Sequence, residues 1–503
     1  MPDTANAQTS ASGFNNSVSG SPPESGDFVK ALSLTDATML VAGSMIGSGI
    51  FIVSADISRT VGSPLWLMLA WLAAGVMTVL GALAYGELAA MYPRAGGQYV
   101  FLRESMGPLM GFLYGWTLFI VIQTGTIAAV AVAFGRFLGV LWPAITPDRF
   151  GWFPQFDVTT PGGLIEVGLT PQRLIALISV WILTWINLRG VREGKLVQTT
   201  LTIVKTGALA LLILLALTIG RNADAIAANF GPGRFVGNVD MTSVFLIAFG
   251  ASLVGSLFSS DAWNNVTFAA AEVKNPQRNL PLALLMGTGL VSTLYILANV
   301  AYLNVLPLEG AKDAGTVLAR GIQFATQDRV GAAAAEVIFG AIGGTIMASA
   351  ILISTFGCNN GLILSGARVY YAMAKDKLFF RRAGQLNRNH VPATALVVQA
   401  IWTSLLCLTG TYGQLLDYVI FAALIFYALT TVGLFILRSK RPDADRPYRA
   451  IGYPVLPALY VVLATTVAIV LLISDKTRAQ AMSGLVLVAL GVPVFYLWRK
   501  AEA

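Results

Sequence analysis

Long apolar stretches alternate with short polar segments along nearly the whole chain. A helix that crosses a bilayer needs about 20 mostly apolar residues, and these stretches predict an all-α membrane protein of about twelve transmembrane helices. The third, sixth and eighth stretches are longer than a bilayer requires, so we expect them to tilt or protrude. The predicted spans lie near residues 35–57, 65–91, 109–141, 172–190, 196–219, 241–272, 281–305, 331–362, 391–410, 414–437, 454–474 and 480–498.

The composition also indicates a membrane protein. Of the 503 residues, 56% are hydrophobic and 12% are charged, whereas a soluble domain carries about 25% charged residues. Residues 1–28 are rich in Ser, Asn, Gly and Pro, and they lack the basic and apolar segments of a secretory signal. We therefore predict a disordered cytoplasmic tail over residues 1–28 and a single transmembrane domain over residues 29–503.

The basic residues are divided unevenly between the two sides of the membrane. Twelve spans place both termini on one side, and the loops of that side hold about 21 of the Lys and Arg residues against about 11 on the other side. The positive-inside rule then predicts that both termini are cytoplasmic. This orientation explains the net charge of +8 better than nucleic-acid binding does, so no nucleic-acid partner is expected.

Two spans carry polar interruptions. In the first span, Gly47 and Gly49 flank Ser48, and in the sixth span Ser259 and Ser260 precede Asp261. The two spans hold matching places if the first ten helices form two repeats of five, and such paired interruptions are typical of a transporter binding site. The broken ends offer N–H groups to an anion and carbonyls to a cation, which suits a zwitterion such as an α-amino acid.

Other interpretations of these residues remain open. Gly43 and Gly47 have the spacing of a motif for close helix packing, and Asp261 could cap a half-helix or form a structural pair. Lys205 lies inside the fifth span, where a lysine is a functional candidate by default. The alternative for Lys205 is that its long side chain reaches back to the membrane surface.

The chain offers little else that could support chemistry. Cys358 and Cys407 lie in apolar stretches, so no disulfide framework is expected, and with His390 as the single histidine a metal site is improbable. His390 itself is interpreted as an interfacial residue. No nucleophile–base set or phosphate-binding glycine loop is present, so we predict no enzyme activity, no catalytic residues, no cofactor and no metal.

Four ordered motifs resemble the L-type amino acid transporter family, within the amino acid–polyamine–organocation superfamily, in a prokaryote-like form. The resemblance runs from about residue 34 to the C-terminus and is weakest over residues 141–171. The motifs are residues 43–51 (GSMIGSGIF), 87–99 (ELAAMYPRAGGQY), 263–265 with 272–281 (WNN and EVKNPQRNLP), and 446–449 with 452–454 (RPYR and GYP).

The resemblance implies a five-plus-five inverted-repeat core with discontinuous helices 1 and 6. The repeats would cover about 34–220 and 240–438, with helices 11 and 12 at about 454–499 outside them. It also implies alternating access, with the substrate carboxylate on amides of the first break and the ammonium on carbonyls of both breaks. The implied substrate-binding residues are Ser44, Met45, Ile46, Gly47, Ser48, Gly49, Phe258, Ser259, Ser260 and Asp261.

The resemblance also assigns gating and coupling residues. Phe258 is implied as the gate on the extracellular side, with a packed core phenylalanine as the alternative. Lys205 stands where sodium symporters of this fold keep a sodium ion, and it would tie the first break to Ser354 or Thr355. Transport would then be sodium-independent, or coupled to protons if Lys205 loses its proton. Glu87 and Arg368 are candidates for an inner gate or are interfacial charges.

Two features depart from the family pattern. The loop between helices three and four lacks the cysteine through which animal members bind a single-span partner, so no disulfide-linked heavy chain is expected. Asp261 stands where some relatives have glycine, which favours a polar or cationic substrate or simply stabilises the break. The predicted function is sodium-independent exchange or uniport of α-amino acids at the plasma membrane. The alternatives are a proton-coupled amino acid or amine symporter, and a channel or a sensor that does not transport.

Overall fold

The computed structural model describes residues 28–145, 156–160, 163–237, 240–409 and 412–502. The predicted tail therefore lies outside the described residues, apart from Phe28. The α-helices, in chain order, are α1 Leu34–Met45, α2 Val53–Val61, α3 Pro64–Met91, α4 Gln98–Met106, α5 Pro108–Thr117, α6 Gln123–Leu141, α7 Pro171–Arg189, α8 Val191–Leu217, α9 Ala223–Phe230, α10 Ser243–Ser259, α11 Asn265–Phe268, α12 Pro276–Val305, α13 Val317–Arg320, α14 Val330–Phe339, α15 Ala341–Lys375, α16 Ala393–Cys407, α17 Tyr412–Lys440, α18 Val455–Ile473 and α19 Arg478–Glu502.

The helices account for the twelve predicted spans. Among the described residues, nine helices are long and apolar enough to cross a membrane, counting α5 and α6 with the turn between them as one. The short apolar helices α10 and α16 form the sixth and ninth spans, α14 leads into the eighth, and α1 with α2 makes the first. The predicted all-α membrane fold of about twelve helices is confirmed.

Local sequence signals set where many helices begin. Ser33 and Asp36 form a capping box at the start of α1, in which each side chain bonds the other residue's backbone N–H. Proline occupies the first position of α3, α5, α7 and α12, where its missing N–H costs no helical hydrogen bond. Successive spans run in alternate directions. We call the end at which α1 begins the basic end and the other the opposite end.

The structure departs from the prediction in three elements. The eighth span bends at Gly340, whose φ of 71° interrupts the helix, and it continues to Lys375 instead of ending near residue 362. The third span contains a π-helical turn at Leu118–Ile122. Between α6 and α7, strands β1 Phe156–Thr160 and β2 Gly163–Val167 pair antiparallel. No strand was predicted there, although this segment is rich in β-branched residues.

The two interrupted spans lie among the long helices. α1 packs against α8, α12 and α15, while α10 packs against α2 and α3. α1 starts at the basic end and α10 starts at the opposite end, so the first and sixth spans run in opposite directions, as an inverted repeat requires. The predicted discontinuity of both spans is confirmed. The repeat boundaries at 34–220 and 240–438 and the outer helices at 454–499 stay predictions.

Candidate functional site

The first span breaks close to its middle. α1 ends at Met45, Ile46 leaves helical geometry with φ −75° and ψ 91°, and a 3₁₀ turn at Gly49–Phe51 precedes α2. A Cβ on Gly49 would lie 2.1 Å from Oγ of Ser259. Only glycine fits at this position, and the first break therefore lies directly against the end of α10.

The sixth span breaks beside the first. α10 ends at Ser259, Ala262 has a φ of 63°, and α11 begins at Asn265. A non-glycine residue with such a φ is uncommon and marks a conformation that the surrounding structure must stabilise. Backbone outside helical geometry survives at membrane depth only where it is buried in protein or lines a cavity. The two breaks meet this condition by packing on each other.

Tyr295 connects the two breaks. Its hydroxyl, on α12, lies 3.0 Å from the carbonyl oxygen of Met45 and 3.0 Å from that of Ser259. Because a hydroxyl carries one proton, it donates to one of these carbonyls at a time. Sequence reasoning missed Tyr295, since a tyrosine in an apolar span gives no signal of which helix ends it will meet.

Lys205 fills the space behind the first break. It is 2% exposed, and its Nζ lies 2.6 Å from the carbonyl oxygens of Gly43 and Ile46 and 3.2 Å from that of Ser354. An ammonium group has three donors, so three carbonyls share one positive charge. The hydroxyl of Ser354 lies 3.1 Å from the carbonyl of Ile46, whereas that of Thr355 bonds within its own helix to Ile351.

The backbone of the first break is only partly engaged. The amides of Gly47 and Gly49 make no hydrogen bond to any residue that the structure describes. The carbonyl of Ser44 accepts a contact from Sγ of Cys358 at 3.0 Å. The break therefore presents amide donors on one side, while most of its carbonyls are already held by neighbouring helices.

Asp261 is paired across the sixth break. The hydroxyl of Tyr427, on α17, donates to its Oδ1 at 2.5 Å. Next to it, the side-chain amide of Asn264 donates to Gln98 at 2.8 Å, and Gln98 donates to Thr430 at 3.0 Å. This buried network joins the sixth break to α4 and α17, and the sequence contained no signal for either partner.

The site is closed in this structure. Two cavities border Asp261 and Tyr427, one toward Gln98 and one toward Trp263. Each has room for about one or two water molecules. Phe258, in the last turn of α10, is 7% exposed. An amino acid would therefore need a rearrangement of these side chains or of the half-helices before it could bind.

The two candidate inner-gate charges do not pair with each other. Arg368 lies inside α15 and donates to Glu272 at 2.9 Å, and both side chains are almost fully buried. Glu87 accepts from Arg438 at 2.6 Å and from the backbone N–H of Ala450 at 2.7 Å. Each charge thus ties different elements together at the basic end.

Comparison with known proteins places the chain in a family. The family profile described as amino acid permease matches residues 32–495. The serine/threonine exchanger SteT of Bacillus subtilis (strain 168) is 31% identical over 479 residues, covering 94% of this chain and 98% of the relative. The large neutral amino acids transporter small subunit 2 of Homo sapiens is 29% identical over 474 residues, covering 93% and 80%.

A third relative agrees with these two. The b(0,+)-type amino acid transporter 1 of Rattus norvegicus is 26% identical over 484 residues, covering 96% of this chain and 90% of the relative. The resemblance to L-type amino acid transporters, inferred from four motifs, is confirmed because the profile match runs from before α1 into α19. This chain belongs to the amino acid permease family.

Proposed function

We propose that this chain exchanges α-amino acids across the plasma membrane, independently of sodium, by alternating access to a site between the two helix breaks. The observation that carries the proposal is the contact between those breaks, with unbonded amides of Gly47 and Gly49 at the junction. Family membership and the exchanger and transporters among its relatives support transport as the activity.

The broken ends supply the groups that a zwitterion needs. The amides of Gly47, Ser48 and Gly49 would hold the carboxylate, because they lie at the positive end of a short helix. Carbonyls from Ser44 to Ile46 and from Phe258 to Asp261 would hold the ammonium. Several of these carbonyls now accept hydrogen bonds from Tyr295, Cys358 or Lys205. The substrate ammonium would therefore replace some of these donors on binding.

Gating would act on both sides of this site. Phe258 would close it toward the opposite end, since it sits in the last turn of α10. Arg368, paired with Glu272, and Glu87, paired with Arg438, would hold the basic end shut through separate contacts. They are proposed as two parts of an inner closure and not as one pair.

Lys205 supports independence from sodium. Its ammonium group already gives the carbonyls of Gly43 and Ile46 a positive charge at 2.6 Å, so a sodium ion has no free oxygen cage there. The same observation supports a second candidate, a proton-coupled symporter, because a buried lysine can release its proton during the cycle. Ser354 belongs to this coupling site, and Thr355 would act only through its helix.

Asp261 would influence which side chain is accepted. Its carboxylate would favour a polar or cationic substrate that displaces Tyr427, or it would serve mainly to stabilise the break through that 2.5 Å contact. Comparing uptake of serine, leucine and lysine by the wild type and by Asp261→Gly separates these roles. A selective loss of lysine or serine uptake supports the first role, and an equal loss of all three supports the second.

The remaining assignments follow the same reasoning. We propose that the basic end faces the cytoplasm, so that both termini are cytoplasmic. We propose no enzyme activity. We also propose no disulfide-linked heavy chain, because the loop between α6 and α7 contains no cysteine. A small-molecule amino acid and the lipid bilayer are the expected partners.

Uptake of a radiolabelled amino-acid panel into proteoliposomes tests the proposal. Vesicles are preloaded with unlabelled amino acid or left empty, with and without sodium and proton gradients. Exchange predicts uptake only into preloaded vesicles, whatever the gradients. Uptake into empty vesicles driven by a pH gradient would support the symporter instead. Flux without stimulation by internal substrate would indicate a channel, and binding without any flux would indicate a sensor.

A further inference from the structure

We propose that Asn265 selects substrates whose side chain ends in a hydroxyl group, such as serine and threonine. The side-chain amide of Asn265 would donate to the hydroxyl oxygen, and the hydroxyl would donate to the carboxylate of Asp261. This inference rests on the proposed function, because it assigns the part of the same site that receives the substrate's side chain.

Asn265 carries an unused hydrogen-bond donor beside the sixth break. The residue is 2% exposed, and its Nδ2 has no acceptor among the residues that the structure describes. It is the first residue of α11 and follows Asp261 across the turn at Ala262, whose φ is 63°. A buried amide without a partner is costly, and native structures rarely leave one. The missing acceptor is therefore expected to come from a bound molecule.

One small cavity is bordered by both Asn265 and Asp261. It has room for about one water molecule. Its other polar side chains include Gln98, Gln123 and Thr126, each of which already donates a hydrogen bond elsewhere. Among the described residues at this cavity, the amide of Asn265 is thus the unsatisfied donor, and the carboxylate of Asp261 is the charged acceptor.

The second cavity that borders Asp261 is less suitable for a polar group. Its lining is mostly apolar or aromatic and includes Leu257, Trp263 and Tyr460. Ser260 also lines it, with a hydroxyl that lacks a partner among the described residues. A hydroxyl rotates and serves as donor or acceptor, so it does not select one kind of ligand. The cavity toward Gln98 is therefore the one assigned to the substrate's hydroxyl.

A substrate hydroxyl would take the place of Tyr427 without leaving a group unpaired. The hydroxyl of Tyr427 donates to Oδ1 of Asp261 at 2.5 Å and lies 3.3 Å from Oδ1 of Asn264. Tyr427 thus has a second acceptor within reach when the substrate donates to Asp261. The exchange adds one hydrogen bond, from Nδ2 of Asn265 to the hydroxyl oxygen.

The chemistry of the two residues favours a hydroxyl over other side-chain ends. Because Asp261 accepts and Asn265 donates, the ligand must do both, and a hydroxyl does so with one oxygen atom. The ammonium group of lysine has no lone pair for Asn265, and the methyl groups of valine bond neither residue. A carboxamide divides its donor and acceptor between two atoms, which exceeds a space of about one water molecule.

Threonine and valine test the inference, because they have nearly the same shape and differ in the hydroxyl. Initial rates of uptake into preloaded proteoliposomes are measured for both over a range of concentrations. We expect the wild type to favour threonine about tenfold in the ratio of maximal rate to half-saturating concentration, and Asn265→Leu to reduce this preference about fivefold. Asn265→Ala, which removes the amide without adding apolar bulk, should show the same loss and replaces the leucine variant if that one fails to fold.

Asn187→Leu is the matched control. Asn187 is also a buried asparagine, but its amide donates to the carbonyl of Leu183 and to Oδ1 of Asn360, away from the cavity. The substitution should lower the thermal midpoint while the preference for threonine over valine stays as in the wild type.

A binding measurement separates failure of this inference from failure of the proposed function. Stabilisation of the detergent-solubilised protein by threonine and by valine is read from the thermal midpoint, whether or not the chain transports. A larger shift with threonine that is lost in Asn265→Leu supports the inference even without uptake, and the proposed function alone would then fail. A wild type that responds to valine at least as strongly as to threonine, in uptake and in midpoint, would overturn the inference. An unchanged preference for threonine in Asn265→Leu or Asn265→Ala would also overturn it.

Discussion

At the scale of single residues, the junction of the two breaks depends on one glycine and one lysine. Gly49 is there because Ser259 occupies the space that a side chain would need. Lys205 is there because its ammonium group donates to two carbonyls of the first break and to one carbonyl of α15. Both residues were identifiable in the sequence as anomalies within apolar spans, and each leads to a specific substitution.

Gly49→Ala should reduce amino-acid uptake at least about fivefold, because overpacking at a tight contact costs about 1–3 kcal/mol. The protein should still reach the membrane, since the clash is confined to the junction. Gly207→Ala is the matched control, because a Cβ on Gly207 meets no atom within 4 Å. Equal uptake by Gly49→Ala and the wild type would remove the first break from the site, and a bulky residue at Ser48 should behave like Gly49→Ala.

Lys205→Ala should impair transport more than it lowers the thermal midpoint. The substitution removes the ammonium donor from three carbonyls and leaves that of Gly43 without a donor among the described residues, at a cost of about 1–3 kcal/mol for an unsatisfied buried group. It also opens a cavity that a cation can enter. Uptake is measured with and without sodium and with and without a pH gradient. The control is Val204→Ala on the lipid-facing side of the same helix, where Val204 is 45% exposed. Unchanged rates and ion dependence in Lys205→Ala would contradict the proposed role.

At the scale of elements, the basic end is held by backbone and by charge. Residues before α1 pair with those after α11, since the N–H of Leu32 donates to the carbonyl of Glu272 at 2.9 Å. The side chain of the same Glu272 binds Arg368 on α15. The inner ends of the two broken spans are thus fixed to each other and to the eighth span, which suggests that they move together.

Arg368→Met should lower the free energy of unfolding by about 3–5 kcal/mol, because it leaves the Glu272 carboxylate buried and unpaired. The double variant Arg368→Met/Glu272→Met should recover much of that loss, since no uncompensated charge remains. Thermal inactivation in detergent measures both. If the double variant loses as much stability as the single variants Arg368→Met and Glu272→Met lose in sum, the two side chains do not act as a coupled pair.

At the scale of the whole molecule, the spans alternate in direction, so the loops fall into two sets, one at each end. The larger number of basic residues in one set predicts which end faces the cytoplasm. Every loop at the basic end should be cytoplasmic, and every loop at the opposite end should be outside the cell. The strands β1 and β2 and the helices α9 and α13 would then form the outer surface. The two native cysteines are 2% and 0% exposed, so introduced cysteines can report on each side.

Arg278→Cys should react with a membrane-impermeant maleimide only in inside-out vesicles, and Lys312→Cys only in intact cells. Both positions are exposed, one at the start of α12 at the basic end and one before α13 at the opposite end. The unmodified protein, with Cys358 and Cys407 buried, serves as the background. Reaction of Arg278→Cys in intact cells would reverse the proposed orientation.

The sequence by itself determined the twelve spans, the positions of both breaks and the candidate residues at them. These features are local, because the length of an apolar run, a glycine pair and a serine pair within it act on their own segment of backbone. The sequence analysis did not predict the hairpin between α6 and α7, because it assigned no regular element to the residues between the third and fourth spans.

Only the tertiary structure decided which groups meet. Tyr295 reaches Met45 across 250 positions, Tyr427 reaches Asp261 across 166, and Arg438 reaches Glu87 across 351. A single sequence contains no record of such pairings, because they depend on how separate helices pack and on which buried polar groups each must satisfy. For the same reason the sequence offered Glu87 and Arg368 as candidates for one gate, and the packing gave each a different partner.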